Sequence, residues 1–222
     1  MEHNNNKFQC VYSIGYSCGS EMVLKRLNLV RFSSVIGSCC TASIRKLLFF
    51  LDTKFDILFN KKYLIYTKDI PKYKELNEEF GNRTLNVMLD DINDWHSATI
   101  AHHDMSEPSV VAHFERAVTR FYKLINNNIR TLFIHTGIYI QLHDCEQLVD
   151  KFKEQNYTNF HIVFFIIDQD MSPIAQLLHS SEHMTLYIAK HENSLDQVLQ
   201  QYDLTDLITL NEIDSKHLFL HD

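Results

Sequence analysis

The run Ile14-Gly15-Tyr16-Ser17-Cys18-Gly19-Ser20-Glu21 ends a short apolar segment and opens one with Met22, Val23, Leu24 and Leu27 at helical spacing. A thiol in the first turn of a helix meets the positive end of the helix dipole and unpaired backbone N–H groups, and both favour the thiolate. Gly15 and Gly19 are the expected places of close substrate approach, and the N–H groups beside Gly19 could hold an oxyanion. Against this stands the plainer reading, in which Cys18 is a small buried hydrophobe at a strand end. His102-His103-Asp104 supplies a second candidate group: His103 as the base that activates a thiol, with Asp104 as a carboxylate to orient it. Asp104 could equally serve as a turn or cap device before Pro108. His135 and Asp168, each after an apolar run, complete the candidates as substrate-binding groups.

These residues need a scaffold that brings distant stretches of chain to one rim. Phe8 to Ile14 reads as a first strand, with Ser17 or Ser20 as N-cap of the helix that follows. Thr41 to Leu51 predicts a second helix and Phe55 to Phe59 an aromatic core segment. Tyr63 to Tyr66 predicts a strand, and Lys72 to Phe80 a short helix ending at Gly81. Ser97 to Ala101 reads as a strand leading into His102, and Val110 to Ile125 as a long helix started by Pro108. Thr131 to Ile134 and His161 to Ile167 are apolar strands with a helix from Asp144 to Gln155 between them. Met184 to Ala189 predicts a further strand, Leu195 to Tyr202 a helix, and Leu207 to Leu210 a short last strand.

Apolar strands alternating with amphipathic helices predict a three-layer α/β sandwich, Rossmann-like, with a largely parallel sheet. In such sheets ligands bind beyond the carboxyl ends of the strands, near a reversal of strand order. A length of 222 residues predicts a single domain, 1–222.

Composition removes several classes of function. A net charge of -7 without any basic stripe argues against nucleic acid as a partner. The apolar runs are too short to span a bilayer, and the opening residues lack a secretory or myristoylation pattern. Five cysteines without a CxxC pair suggest neither a disulfide framework nor a thiolate zinc site, so a reducing, cytoplasmic setting is expected. His96, His102 and His103 are the nearest approach to a metal cluster, and neither metal nor cofactor is expected. The turn from Gly15 to Gly19 is not GxGxxG and lacks a Lys, which gives little support to a dinucleotide or P-loop site.

Tyr12-Ser13-Ile14-Gly15-Tyr16-Ser17-Cys18-Gly19, followed by Leu24-Lys25-Arg26-Leu27, resembles the opening of a family described as papain-like cysteine peptidases, seen in bacteria and large DNA viruses. His103-Asp104-Met105 resembles that family's His-Asp-Phe element, and the likeness runs from about residue 8 to 140. The resemblance implies Cys18 as nucleophile, His103 as base and Asp104 as orienter, with a peptide or small acyl group as substrate. For a viral protein it implies the host cytoplasm. It also implies a papain-like α+β fold, in place of the parallel sheet that the alternation predicts. Where the family carries Pro-Phe-Asp-Trp this chain has Ser34-Val35-Ile36-Gly37, without the acidic group or the aromatic wall. Three functions remain open on the sequence: a cysteine-dependent hydrolase or acyl transferase, an inactive binding or interaction protein on the same fold, and a nucleotide-sugar-type transferase.

Overall fold

The computed structural model describes residues 7–15, 18–30, 34–36, 44–91, 93–94, 98–100, 103–138, 140–191, 194–205 and 207. Its centre is a five-stranded sheet made of β1 (Cys10–Ser13), β4 (Thr131–Gly137), β5 (Phe160–Ile167), β6 (Gln176–Ser180) and β7 (Met184–Ala189), in the order β1-β4-β5-β7-β6. The neighbours β1, β4, β5 and β7 are parallel, and β6 alone runs antiparallel, against β7. Every residue of β1 and β4 is buried, which is why these strands, His135 apart, are mostly apolar or small and do not alternate. The result is a mixed α/β fold with a mostly parallel sheet.

One sheet face is an aromatic seam. Tyr12 and Phe133 lie side by side in register with ring centroids 5.9 Å apart. Phe121 of α4 (Pro108–Asn126) sits 5.6 Å from Tyr12, and Phe152 of α5 (Leu142–Glu154) sits 4.9 Å from Phe133. All four side chains are fully buried, each contributing about 1.5–3 kcal/mol of burial. The opposite face presents His161, Thr185 and Tyr187. There Tyr202 donates to Thr185 Oγ1 at 3.4 Å, and the Tyr187 hydroxyl reaches Gln201 Oε1 at 2.9 Å, just beyond α6 (Leu195–Leu199).

The parallel strands β1, β4, β5 and β7 follow one another across the sheet in chain order, so the end of β1 does not lie at a switch point of the kind expected. After β5 the chain passes to the edge strand β6 and then steps back to β7, so the reversal among the described strands lies at the edge far from β1. The strand β1 is therefore terminal, and its connection to β4 carries most of what surrounds the candidate site. That connection holds α1 (Cys18–Arg26), α2 (Ile44–Asp52), α3 (Lys74–Phe80) and α4. It also carries an antiparallel pair, β2 (Leu64–Tyr66) with β3 (Thr84–Asn86). This pair has its own small core of Tyr73, Leu85 and Ala98. The predicted strand at Ser97 to Ala101 is reduced, within the described residues, to a single bridge between Ile100 and Thr84.

A buried carboxylate ties the small sheet to the helices. Asp90, with a fully buried side chain, accepts from Asn86 N, Thr99 N, Thr99 Oγ1 and Lys46 Nζ, all within 2.7–2.8 Å. Lys46 lies on α2, so one charge joins α2 to both sides of the small sheet. Asn86 adds a bond from its side-chain amide to Ile57 O at 3.1 Å. A charge buried this way is tolerable because its lone pairs are all met by donors.

Candidate functional site

The helix α1 begins at Cys18, directly beyond the carboxyl end of β1. The turn between them is fastened by Ser20, whose hydroxyl reaches Ser13 Oγ at 2.8 Å and donates to Gly15 O at 3.1 Å. Ser20 is thus the third residue of the helix and bonds backwards to the strand. This differs from its expected use as an N-cap, because the helix starts at Cys18 and Ser20 already lies inside its first turn. Ser17, the other cap candidate, lies outside the described residues.

Gly15 is required by close approach. A Cβ built there would stand 1.9 Å from Nδ1 of His135 and within 2.7 Å of two further ring atoms. His135 lies within β4 and not beyond its end, and its Nδ1 contacts Ile14 O at 3.0 Å. A carbonyl can only accept, so Nδ1 carries the proton. Burial pushes the His135 pKa down to about 4, partly opposed by that hydrogen bond, and the ring is neutral at pH 7. At 1% exposure, His135 is a floor beneath Gly15, and any effect on substrate runs through that glycine. Asp168 follows β5 and is exposed, accepting from Asp170 N at 3.0 Å. With β4 lying between β5 and β1 and Ser13 level with Val163, it stands about 10 Å across the sheet and about 16 Å further along than the end of β1.

His103 and Asp104 lie in a loop held by the small sheet and do not follow a main-sheet strand. Thr84 Oγ1 donates to His103 O at 3.2 Å and accepts from Met105 N at 3.0 Å, clamping the peptide on both sides of Asp104. Met105, 2% exposed, anchors the same loop in the main core. The His103 ring lies edge-on to the buried Phe114, 5.7 Å between centroids at 84°, and nearly parallel to His113, 6.2 Å at 25°. Burial lowers the His113 pKa, with Arg120, Arg116 and Lys25 acting in the same direction and Glu21 against them. Glu21 and Lys25 belong to α1, three and seven residues beyond Cys18. His113 is therefore within electrostatic range of the helix that starts at Cys18.

Asp104 is committed to its own loop. Its Oδ2 pairs with Lys68 Nζ at 2.9 Å, and its Oδ1 accepts from Ser106 N at 2.9 Å in an Asx turn ahead of α4. Burial alone would raise its pKa, but the hydrogen bonds from Ser106 and Lys68 outweigh this and hold the carboxyl below the usual range. A carboxyl group whose pKa is depressed by folding stabilises the fold above its unfolded pKa of about 3.9, and that contribution is lost as pH falls through the folded value. Asp104→Asn is therefore expected to lower the unfolding midpoint at pH 7, with the gap to the wild type closing below about pH 4. Denaturant titrations of both proteins across that range measure it; a gap independent of pH would remove the ion pair as its cause.

Several residues that shape the site carry no recognisable motif. Glu21 is 5% exposed and accepts from both Ser34 N at 3.0 Å and Ser34 Oγ at 2.7 Å, while pairing with Lys25. It places a carboxylate against the 34–36 segment, where the sequence itself has no acidic group. Tyr12 reinforces the same contact, its hydroxyl accepting from Val35 N at 3.1 Å. The one signal for Glu21 was an acidic residue in the first turn of a helix, which usually means only a favourable helix dipole interaction. Thr84, Lys68 and His113 gave no signal, because their partners are distant in sequence.

Among the described residues, no group of three His, Cys, Asp or Glu side chains is placed to hold a metal ion; His96 and His102 lie outside them. No described helix is long and apolar enough to cross a membrane.

Sheet and site together define a mixed α/β protein with a cysteine at the head of the helix that follows its terminal parallel strand. The sequence profile of the family described as putative papain-like cysteine peptidase matches residues 9–170, and the chain belongs to that family. No curated protein and no solved structure matches the chain.

Proposed function

We propose that the chain is a cysteine-dependent acyl hydrolase or acyl transferase, with Cys18 as nucleophile and His103 as base. The observation that supports it most is the approach of two distant segments. The helix headed by Cys18 leaves the end of β1, and His103 stacks on His113, which senses Glu21 and Lys25 of that same helix. In this reaction the Cys18 thiol gives its proton to His103, and the thiolate forms a C–S bond to the substrate carbonyl carbon. Backbone N–H groups in the first turn of α1 hold the oxyanion. The amine or alcohol leaving group then takes the proton from His103 as its bond to carbon breaks, and water or a second acceptor later releases the acyl group. We read the scaffold as Rossmann-like, in keeping with its parallel neighbours, and the likeness to papain as one of chemistry.

A second reading, an inactive binding protein, draws support from Asp104. Its carboxylate is held by Lys68 and Ser106 in place of an imidazole.

Iodoacetamide at pH 6 separates the two. A free thiol of pKa near 8.5 is only about 0.3% thiolate there, whereas one of pKa near 6 is about half ionised. The lower nucleophilicity of the more acidic thiol takes back roughly a factor of ten, leaving about a tenfold faster reaction for Cys18. Cys10 and Cys145 serve as internal controls: both are buried, and burial raises both, Cys145 to about 12. Peptide mapping that finds Cys18 modified no faster than a free thiol would leave the binding reading in place.

A further inference from the structure

His113 lies outside every motif considered so far, yet its ring lies beside that of the proposed base. The three rings form one unit. Phe114, fully buried, is edge-on to His103 at 5.7 Å and to His113 at 5.8 Å, and the two imidazoles are within 25° of parallel. His113 and Phe114 are consecutive residues of α4, a helix of nineteen residues packed on the sheet, so the platform under His103 is rigid. The backbone of His103 is fixed separately by Thr84. Asp104, the neighbour expected to orient the imidazole, is engaged elsewhere by Lys68.

We infer that His113 is a positioning residue for His103: its ring, stacked on His103 against Phe114, holds the imidazole that takes the Cys18 proton. The inference rests on the proposed thiol chemistry.

The surroundings of His113 suit that role. The charged groups facing it are Arg116 and Arg120 from its own helix and Glu21 and Lys25 from α1, with His103 stacked on it. Three cations against one carboxylate, added to burial, keep the His113 ring uncharged at neutral pH. Two imidazolium ions at this separation repel, so a protonated ring at position 113 would oppose the imidazolium that Cys18 needs beside it. An uncharged ring supports His103 without competing for its proton.

Two readouts on the full-length protein test this. In wild type, histidine ring NMR signals followed against pH are expected to show the His103 Cε1–H signal shifting in two steps, the second coinciding with protonation of His113 below pH 6.5; in His113→Phe only one step remains. Iodoacetamide labelling of Cys18 at pH 6 is expected to slow about fivefold in His113→Ala, most of the way to the rate of a free thiol, and to recover most of that loss in His113→Phe, which keeps a flat ring without a charge. Labelling in His113→Ala at the wild-type rate overturns the inference alone. So does a single-step His103 titration in wild type, a result that holds even if the alanine variant fails to fold. Wild-type Cys18 reacting no faster than a free thiol overturns the thiol chemistry, and the inference falls with it.

Discussion

Cys18→Ala is expected to abolish turnover of an activated ester such as p-nitrophenyl acetate, lowering kcat/KM by at least about a thousandfold. His103→Ala is expected to lower it by about 10²–10⁴, the range for a lost general base. Nucleophile and base act as one unit, so the double variant should be no slower than Cys18→Ala, whereas independent contributions would multiply. Asp104→Asn completes the set. Its carboxylate is held by Lys68 and Ser106, and the turn it caps can accept an amide, so the expected change is within a fewfold. A hundredfold loss would show instead that Asp104 turns toward the imidazole when substrate binds. If Cys18→Ala hydrolyses the ester at the wild-type rate, the chain has no thiol chemistry at this site.

How much of this arrangement could be read from the residues depends on how local each signal is. Met184–Ala189 is found with its predicted bounds, and Thr131–Gly137 and Phe160–Ile167 extend their predictions by a few residues, because a strand buried on both faces is apolar throughout. The helix after Pro108 was marked by its start and its apolar stripe. β6 was missed: Gln176–Ser180 is exposed at four of five positions and has no β-branched residue, so its pairing with β7 leaves no mark in the sequence. β3, Thr84–Asn86, is three residues long and was missed for its shortness. The predicted strand at Leu207 to Leu210 runs beyond the described residues, and so do Cys39 and Cys40.

The candidate site was legible in its residue types and not in its supports. A Cys after a strand and a His-Asp before a helix are contiguous patterns, so Cys18, His103 and Asp104 could be singled out. The family match over residues 9–170 covers all three. What the residues could not convey was that Asp104 pairs with Lys68, 36 positions earlier, or that Thr84 holds the His103 loop. Nor could they show that His103 stands beside a second imidazole. These contacts are set by the insertion of β2 and β3 into the crossover from β1 to β4, and no local periodicity encodes where such an insertion lands.

The interlock of Gly15 with His135 yields the largest expected change in stability. A methyl group at position 15 would sit inside the His135 ring's contact radius, at 1.9 Å from Nδ1, and the ring cannot retreat without losing its bond to Ile14 O. Gly15→Ala is therefore expected to cost about 3 kcal/mol or more, beyond ordinary overpacking. His135→Ala alone should cost about 2–4 kcal/mol for the cavity and the lost hydrogen bond. In that background, however, the added methyl enters the space the ring has left, and Gly15→Ala should cost under about 1 kcal/mol. Equal costs in both backgrounds would mean that the clash lies elsewhere. The same ring makes stability depend on acid. His135 has a folded pKa of about 4 against about 6.5 unfolded, so its contribution is complete above pH 6.5 and is lost as pH falls toward 4. The total is about 3 kcal/mol, and it levels off below pH 4. His135→Gln, which keeps a donor for Ile14 O and does not titrate, should flatten that part of the curve. Denaturant midpoints for both proteins between pH 4 and 7.5 measure it, and parallel curves would show that another group carries the acid sensitivity.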